Sequence, residues 1–392
     1  MAKPARNLPA LLALAGISAL VVVGVWQNAE NASDLKPYVA YPPAIMGTET
    51  QLIAVAPAAS PDVGTGLLEA AEAMLRDTQV KTDYRIDGGD LHRLNHAPPT
   101  VPVEMSPETL TVLRRAEDLH VETHGAFDVT LGPIIRLWIK AAKTDTPPTP
   151  EQILQARQRS NWDLLQLSPD GAMRLGDGVE VDLGGIAKGY GIDRAVEALQ
   201  RATAVGGLIN VGGDIRCFGK THEGGLWTIH IRDPFAAERA AQAELPQAPA
   251  GDEDPPTKPL ASLRLTDRAV CTSGHYERYS DIAGRRYSHI IDPRPGPTMG
   301  YPLDPAAAPV SVTVVAPEAV TADAWATALS VLGPAGLDLI PAASGIDAML
   351  VTGTPEDYRC TWTPGMEAYF LRRPAEPARP ADNDTLAMTR ER

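Results

Sequence analysis

Two short stretches bring together residue types able to hold a charged ligand. The first is Val181–Leu199, VDLGGIAKGYGIDRAVEAL, which sets one acid, Asp182, and one base, Lys188, among Gly184, Gly185, Gly189 and Gly191. A turn this rich in glycine lets a ligand approach bare backbone. The helix start behind it offers unpaired N–H groups that suit a phosphate. The second is Thr321–Thr327, TADAWAT, in which Asp323 and Thr327 are four apart. On a helix their oxygens share a face, and a carboxylate with a hydroxyl makes a pair of hard donors suited to Mg²⁺. Each stretch also has a plainer reading. Glycines can simply make a tight strand-to-helix turn, and an acid near a helix start is most often a dipole-favoured cap.

Three further groups have chemical content. His289-Ile-Ile-Asp292-Pro293 puts a histidine and an acid at a strand end. Ala126-Phe127-Asp128 is either a cap or an aromatic beside a flat ligand. Asn210 with Gly212, Gly213 and Asp214 is either a turn or part of a site. No Ser/His/Asp order, zinc-ligand spacing or phosphate-binding P-loop is present.

The elements that must position these residues follow from periodicity. Val181–Leu199 reads as a short strand, a turn and a helix whose Ile192, Ala195, Val196 and Leu199 form one apolar face. Glu49–Ala56 alternates as a strand, and Gly66–Arg76 repeats as a helix with Leu67, Leu68, Ala71 and Leu75 inward. Ser106-Pro107 is a helix start, serine as cap and proline at the first helical position, for a helix running to about Val121. Glu151–Arg159 is a short helix. Leu208–Val211, Trp227–Ile231 and Val310–Val315 are strands; Ala269–Gly274 and Arg286–Pro293 frame a hairpin around Gly284. Thr321–Leu332 is a helix with Trp325, Leu329 and Leu332 facing the core. Strands and helices mix without steady βαβ alternation, so the fold class expected is α+β.

Of 392 residues, 35 are basic and 49 acidic, a net charge of −14. That balance argues against nucleic acid or an anionic surface as the main partner, and an anionic ligand would need a metal cation or a local basic site. Cys217, Cys271 and Cys360 are far apart and form no metal pattern. The nineteen residues Leu8–Trp26 carry no charge and follow Lys3 and Arg6. As a helix they span roughly 28 Å, the thickness of a hydrocarbon core. Residues 1–26 therefore read as a membrane anchor, with a cleaved signal segment as the alternative, and the body of the protein lies outside the cytoplasmic membrane. A linker is expected over 27–43, one domain over 44–370 with a loop insertion at 235–259, and an unstructured tail over 371–392.

In order, HGAFDVTLGP (124–133), DLGGIAKGYGID (182–193), NVGGDI (210–215), TSGHYERY (272–279), HIIDPR (289–294) and TADAWATAL (321–329) resemble the ApbE family of FAD:protein FMN transferases, and Met46-Gly47-Thr48 fits its opening. The resemblance covers about residues 44–352. It implies a single flavin-transferase domain related to the T-fold, on the periplasmic side of the inner membrane. It also implies a Mg²⁺-dependent reaction: FAD is split at its pyrophosphate, FMN is attached to a Thr or Ser hydroxyl of an acceptor flavoprotein, and AMP leaves. Carried over by position, FAD contacts are Met46, Ala126, Phe127, Asp128, Asp182, Lys188 and Ile291. The metal ligands are Asp323, Thr327 and the carbonyl of Gly185. Lys188 adds positive charge to the reacting group, and His289 or Asp292 is the base for the acceptor hydroxyl. Implied acceptors are subunits of membrane redox complexes such as Na⁺-translocating NADH:quinone reductase. FAD pyrophosphatase activity and a non-catalytic flavin carrier are the alternatives. Two features depart from the family pattern. Many members carry an acid where this chain has Ala326, and the segment before Asp90 lacks M-S-x-Y, which leaves Tyr84 as the candidate stacking aromatic.

Overall fold

The computed structural model describes residues 35–58, 61–236, 238–239, 258–274, 279–294, 300–304 and 308–375. In chain order the first half holds β1 (Leu35–Ala40), β2 (Thr50–Pro57), α1 (Pro61–Thr82), α2 (Asp90–His96), β3 (Val103–Glu104), α3 (Pro107–Glu122), α4 (Gly132–Thr144), α5 (Pro150–Arg157), β4 (Leu165–Leu167) and β5 (Gly171–Arg174). Then come α6 (Ala187–Arg201), β6 (Gly206–Val211), β7 (Asp214–Gly219), β8 (Trp227–Ile231), β9 (Ala261–Leu265), β10 (Arg268–Ser273), β11 (Tyr279–Ile282) and β12 (Arg285–Ser288). The last are β13 (Ser311–Ala316), α7 (Ala319–Leu332), β14 (Asp347–Gly353), β15 (Tyr358–Trp362) and β16 (Phe370–Arg372).

An eight-stranded sheet in the order β1-β2-β6-β7-β10-β13-β14-β15 is the platform, and every neighbouring pair in it is antiparallel. Its strands β2 and β13 are apolar on both faces. Leu52, Ala54 and Ala56 of β2 and Val312, Val314 and Ala316 of β13 join one core; Val55 and Val315, one residue out of phase, join another. Successive side chains leave a strand on opposite sides, so the sheet must be covered twice. Helices α1, α6 and α7 cover the first face. The small sheet β16-β9-β8 covers the second, with Ile229, Leu263 and Phe235 in that core. The fold is therefore α+β, as its sequence pattern implies.

Several boundaries differ from expectation. Leu35–Ala40, inside the expected linker, is a strand paired with β2. Phe370–Arg372, across the expected boundary between domain and tail, pairs with β9. Phe235, at the start of the expected loop insertion, is buried against Tyr358. Strand β10 lies in the main sheet, and the hairpin is β11–β12, turning at Ala283 and Gly284 with φ of 50° and 75°. No strand precedes the glycine turn. Val181 is instead held extended by the side chain of Asn95, which accepts from its N–H and donates to its carbonyl at 2.8 Å each. The apolar run Leu8–Trp26 lies outside the described residues, among which no helix is long and apolar enough to cross a membrane. Most of 235–259, and the tail beyond 375, also lie outside them.

Candidate active site

Two helices from distant parts of the chain meet end to end and cap each other. Helix α6 begins at Ala187 and α7 at Ala319. Asp193, on the second turn of α6, accepts the first N–H groups of α7, from Ala319 and Val320, at 2.8 Å each. Asp323, on the second turn of α7, accepts the Gly189 N–H of α6 at 3.0 Å. Each carboxylate thus satisfies donors that a helix start leaves over, and each sits where the partner's dipole is positive. Asp193 also binds Arg216 at 2.6 Å; burial pushes its pKa up to about 6, against the pull of Arg216 and the two amides. The helices approach so closely that a Cβ on Gly189 would lie 2.2 Å from the Ala319 carbonyl oxygen. Helix α7 has twelve of its fourteen residues buried, so its few polar side chains must find partners inside the fold.

A cavity of ≈ 410 Å³ opens beside this junction. It is lined by Ala126, Phe127, Asp128, Asp182, Gly185, Lys188, His289, Ile291, Asp323 and Thr327, which the structure brings together from four separate motifs. Gly185 lies close to both neighbours: a Cβ there would be 3.3 Å from Thr327 Oγ1 and 3.4 Å from Phe127 Cε2. Asp182 is held from two sides, Oδ1 accepting the Gly184 N–H at 2.9 Å and Oδ2 accepting from Arg136 at 3.1 Å. Arg136 in turn lies 3.3 Å over the Tyr84 ring. Asp128 Oδ1 accepts from the N–H and hydroxyl of Thr130 at 2.7 Å each, and burial raises its pKa against those bonds and the nearby His120. His120 Nδ1 donates to the Phe127 carbonyl at 3.0 Å, which pins the Ala-Phe-Asp segment from behind. Lys188 forms an ion pair with the buried Asp214, and His289 is exposed at the cavity.

Two expected site residues stand elsewhere. Asp292 is buried outside the cavity lining, and both its oxygens accept from the Arg294 guanidinium at 2.9 Å. A carboxylate locked in a two-point ion pair is a poor proton acceptor, which removes it as the base. Met46 has φ of 52°, gives its N–H to Gln79 Oε1 at 3.0 Å, and rests its methyl end against Gly191. Its side chain therefore packs the inside of the fold next to the site. Tyr84 does not line the cavity either; one face of its ring is taken by Arg136. Gly212, read as turn or site, lines the cavity, and so do Thr48, Thr272, Ser273 and Tyr287, which had no assigned role from sequence. Thr272 and Ser273 lie in the TSG motif, which was the available signal.

The model of the ApbE family matches residues 46–350. The chain belongs to the ApbE family. It is 33% identical over 273 residues to the FAD:protein FMN transferase of Haemophilus influenzae, covering 68% of this chain and 72% of the relative. It is 32% identical over 278 residues to the Vibrio cholerae protein of that name, covering 70% and 76%. Among solved structures, the flavin transferase ApbE from Vibrio cholerae superposes with a TM-score of 0.71 at 26% identity, over 86% of this chain and 99% of that one. The ApbE protein of Thermotoga maritima gives 0.69 at 27% identity, over 85% and 99%.

The donor set that the ApbE resemblance implies for a metal can be tested on these residues. Among the described residues no group of three or more His, Cys, Asp or Glu side chains is placed to hold an ion. Asp323, Thr327 and Gly185 offer a carboxylate, a hydroxyl and a backbone carbonyl at one cavity wall, and Asp323 spends only Oδ2 on Gly189. Such a partial oxygen shell fits Mg²⁺, which keeps several waters and shares its coordination with substrate phosphates. Ala326 is fully buried and outside the cavity lining, so an acid is not missing from the wall itself. Replacing Asp182 should loosen the turn that Gly184 and Arg136 hold. Asp182→Ala is expected to weaken FAD binding about tenfold, the loss of one charge-assisted contact. Fluorescence titration of FAD checks it, and an unaltered dissociation constant would remove the turn from the cofactor site.

Proposed function

We infer that this chain transfers the FMN half of FAD to a Ser or Thr hydroxyl of an acceptor flavoprotein, with Mg²⁺ held by Asp323, Thr327 and the Gly185 carbonyl, and AMP released. The observation that carries the reading is the convergence of Gly185, Lys188, Asp323 and Thr327 on one cavity of ligand size, beside two helices whose nearest bonded residues are 126 apart in the chain. A phosphoryl-type transfer asks the protein for positioning and charge neutralisation more than for covalent chemistry. Bound Mg²⁺ would supply Lewis acidity at the diphosphate oxygens. The chain's own groups do the rest. Lys188 adds a second positive charge to the same wall. Phe127 and the fixed Ala-Phe-Asp segment give an apolar surface to a flat ring system. The new bond joins the acceptor oxygen to the phosphorus on the FMN side of the pyrophosphate; the bond from that phosphorus to the bridging oxygen breaks, and the oxygen leaves on AMP. The acceptor's proton goes to His289, which is exposed at the cavity where a protein hydroxyl must enter.

His289→Gln is accordingly expected to slow transfer by about 10²–10⁴-fold, the usual contribution of a general base, while FAD binding stays unchanged. Single-turnover labelling of a co-expressed acceptor, followed by in-gel flavin fluorescence, reads the first quantity and FAD titration the second. Equal labelling by the variant would place the base elsewhere. The uncharged run Leu8–Trp26 after Lys3 and Arg6 supports an anchored, periplasmic location, in reach of membrane redox complexes as acceptors. Protease accessibility in spheroplasts tests that placement; protection of the domain in intact spheroplasts would refute it.

A further inference from the structure

Lys188 and Asp323 line the same cavity, and the residue after Lys188 donates its N–H to the Asp323 carboxylate. The ammonium of a lysine is a compact charge on a flexible four-carbon stem, and here that stem leaves the backbone one residue from the Asp323 hydrogen bond. An ammonium settled on that carboxylate would occupy the oxygens a divalent ion needs. In the structure it settles elsewhere. Lys188 is ion-paired with Asp214, the first residue of β7, whose side chain is 3% exposed. Asp214 is itself fixed: its Oδ1 accepts the Thr272 N–H of β10 at 3.3 Å, and β6 and β7 pair at Val211 and Asp214 across the turn of Gly212 and Gly213. The turn adopts φ of 64° and 94° at its two glycines, which sets the start of β7 tightly against β6. The buried acid is therefore anchored in the sheet, while the lysine it holds belongs to the helix that faces Asp323.

Resting on the metal reading above, we propose that Asp214 is a positioning residue that holds the Lys188 ammonium away from Asp323 and so keeps the divalent-cation site open. Two carboxylates, Asp214 and Asp323, are divided between one ammonium and a divalent ion. Asp214 takes the lysine, which leaves Asp323 with its one backbone hydrogen bond and a free charge for the metal. Lys188 keeps its remaining N–H donors for a ligand phosphate. Without the Asp214 charge the ammonium is left to pair with another carboxylate of the cavity wall, and where it takes Asp323 a cation must displace it.

The test is direct binding of Mn²⁺, as a paramagnetic stand-in for Mg²⁺, to the FAD-free protein, read from the free-ion electron paramagnetic resonance signal. Asp214→Asn preserves shape and an acceptor for the Thr272 N–H but removes the charge. It is expected to weaken Mn²⁺ binding about tenfold. In the double variant Asp214→Asn with Lys188→Met, binding is expected to return to within about twofold of wild type, because the competing ammonium is gone. A defect of folding or wall geometry would not be rescued this way, and only contacting residues give such coupling. Asp214→Glu, which keeps the charge and its pairing, is expected to bind as wild type does and serves if the asparagine variant melts early. Asp323→Asn separates the two levels of inference. If it leaves Mn²⁺ binding intact, the metal reading falls. If it abolishes binding while Asp214→Asn binds as wild type, or while the double variant stays as weak as the single one, the role of Asp214 falls alone.

Discussion

Asp323→Asn is expected to give a folded protein that transfers FMN at least about a hundredfold more slowly. The substitution separates two jobs of one side chain. Asparagine retains an oxygen to accept the Gly189 N–H, now made at 3.0 Å, so the start of α6 stays capped. It removes the only carboxylate in the implied donor set of Asp323, Thr327 and Gly185. Deleting one preorganised electrostatic contact to a transition state costs about 10²–10³ in rate, and a charged metal ligand belongs at the upper end. Asp323→Ala would lose the cap as well and should melt earlier than Asn. Labelling of an acceptor and a thermal melt, run together, read the two effects. Undiminished labelling by the asparagine variant would take Asp323 out of the metal site.

Gly189→Ala is expected to destabilise the fold by about 3 kcal/mol or more, the upper range for overpacking a filled site. The atoms in the way are all backbone: the Ala319 oxygen at 2.2 Å, its carbonyl carbon at 2.5 Å and Val320 Cα at 2.7 Å from the added Cβ. No side chain can rotate aside, so α6 and α7 must part, which stretches the Asp193 and Asp323 caps together. The gain in helix propensity, about 1 kcal/mol, is too small to offset this. Gly66→Ala is the control. That glycine is an exposed residue of α1 whose added Cβ meets nothing within 4 Å, and the change should stabilise by about 0.5–1 kcal/mol. Urea denaturation of the three proteins checks both signs; equal midpoints for Gly189→Ala and wild type would mean the helices are not in this contact.

What could be read from the chain alone was what local forces decide. The 3.6-residue spacing of Ile192, Ala195, Val196 and Leu199 identifies α6, and all four are fully buried. Trp227–Ile231 alternates cleanly and forms β8 over those residues, because one of its faces is packed and the other is not. Ser106 caps α3 as its position before proline implies. Strands β1 and β16 escaped notice because they are exposed at sheet edges, with no apolar alternation to betray them. The six motifs led to the cavity, since residues close in sequence and rich in glycine stay close in space. Partnerships across the chain were not legible. Asp193 had no assigned role and Asp214 looked like a turn residue until their partners, Ala319 and Val320 for one and Lys188 for the other, came into place. Asp292 looked as available as His289, and only the geometry reveals that Arg294, two residues on, has claimed both its oxygens.

On this mechanism one cavity holds the diphosphate of FAD against a divalent ion gripped by α7. Anomalous diffraction from a crystal soaked with FAD and Mn²⁺ examines it most directly. The predicted result is one anomalous peak bonded to Asp323, Thr327 and the Gly185 carbonyl, with the pyrophosphate beside it and the flavin along Phe127. A peak bonded to other residues, or FAD bound with its diphosphate away from α7, would contradict the account.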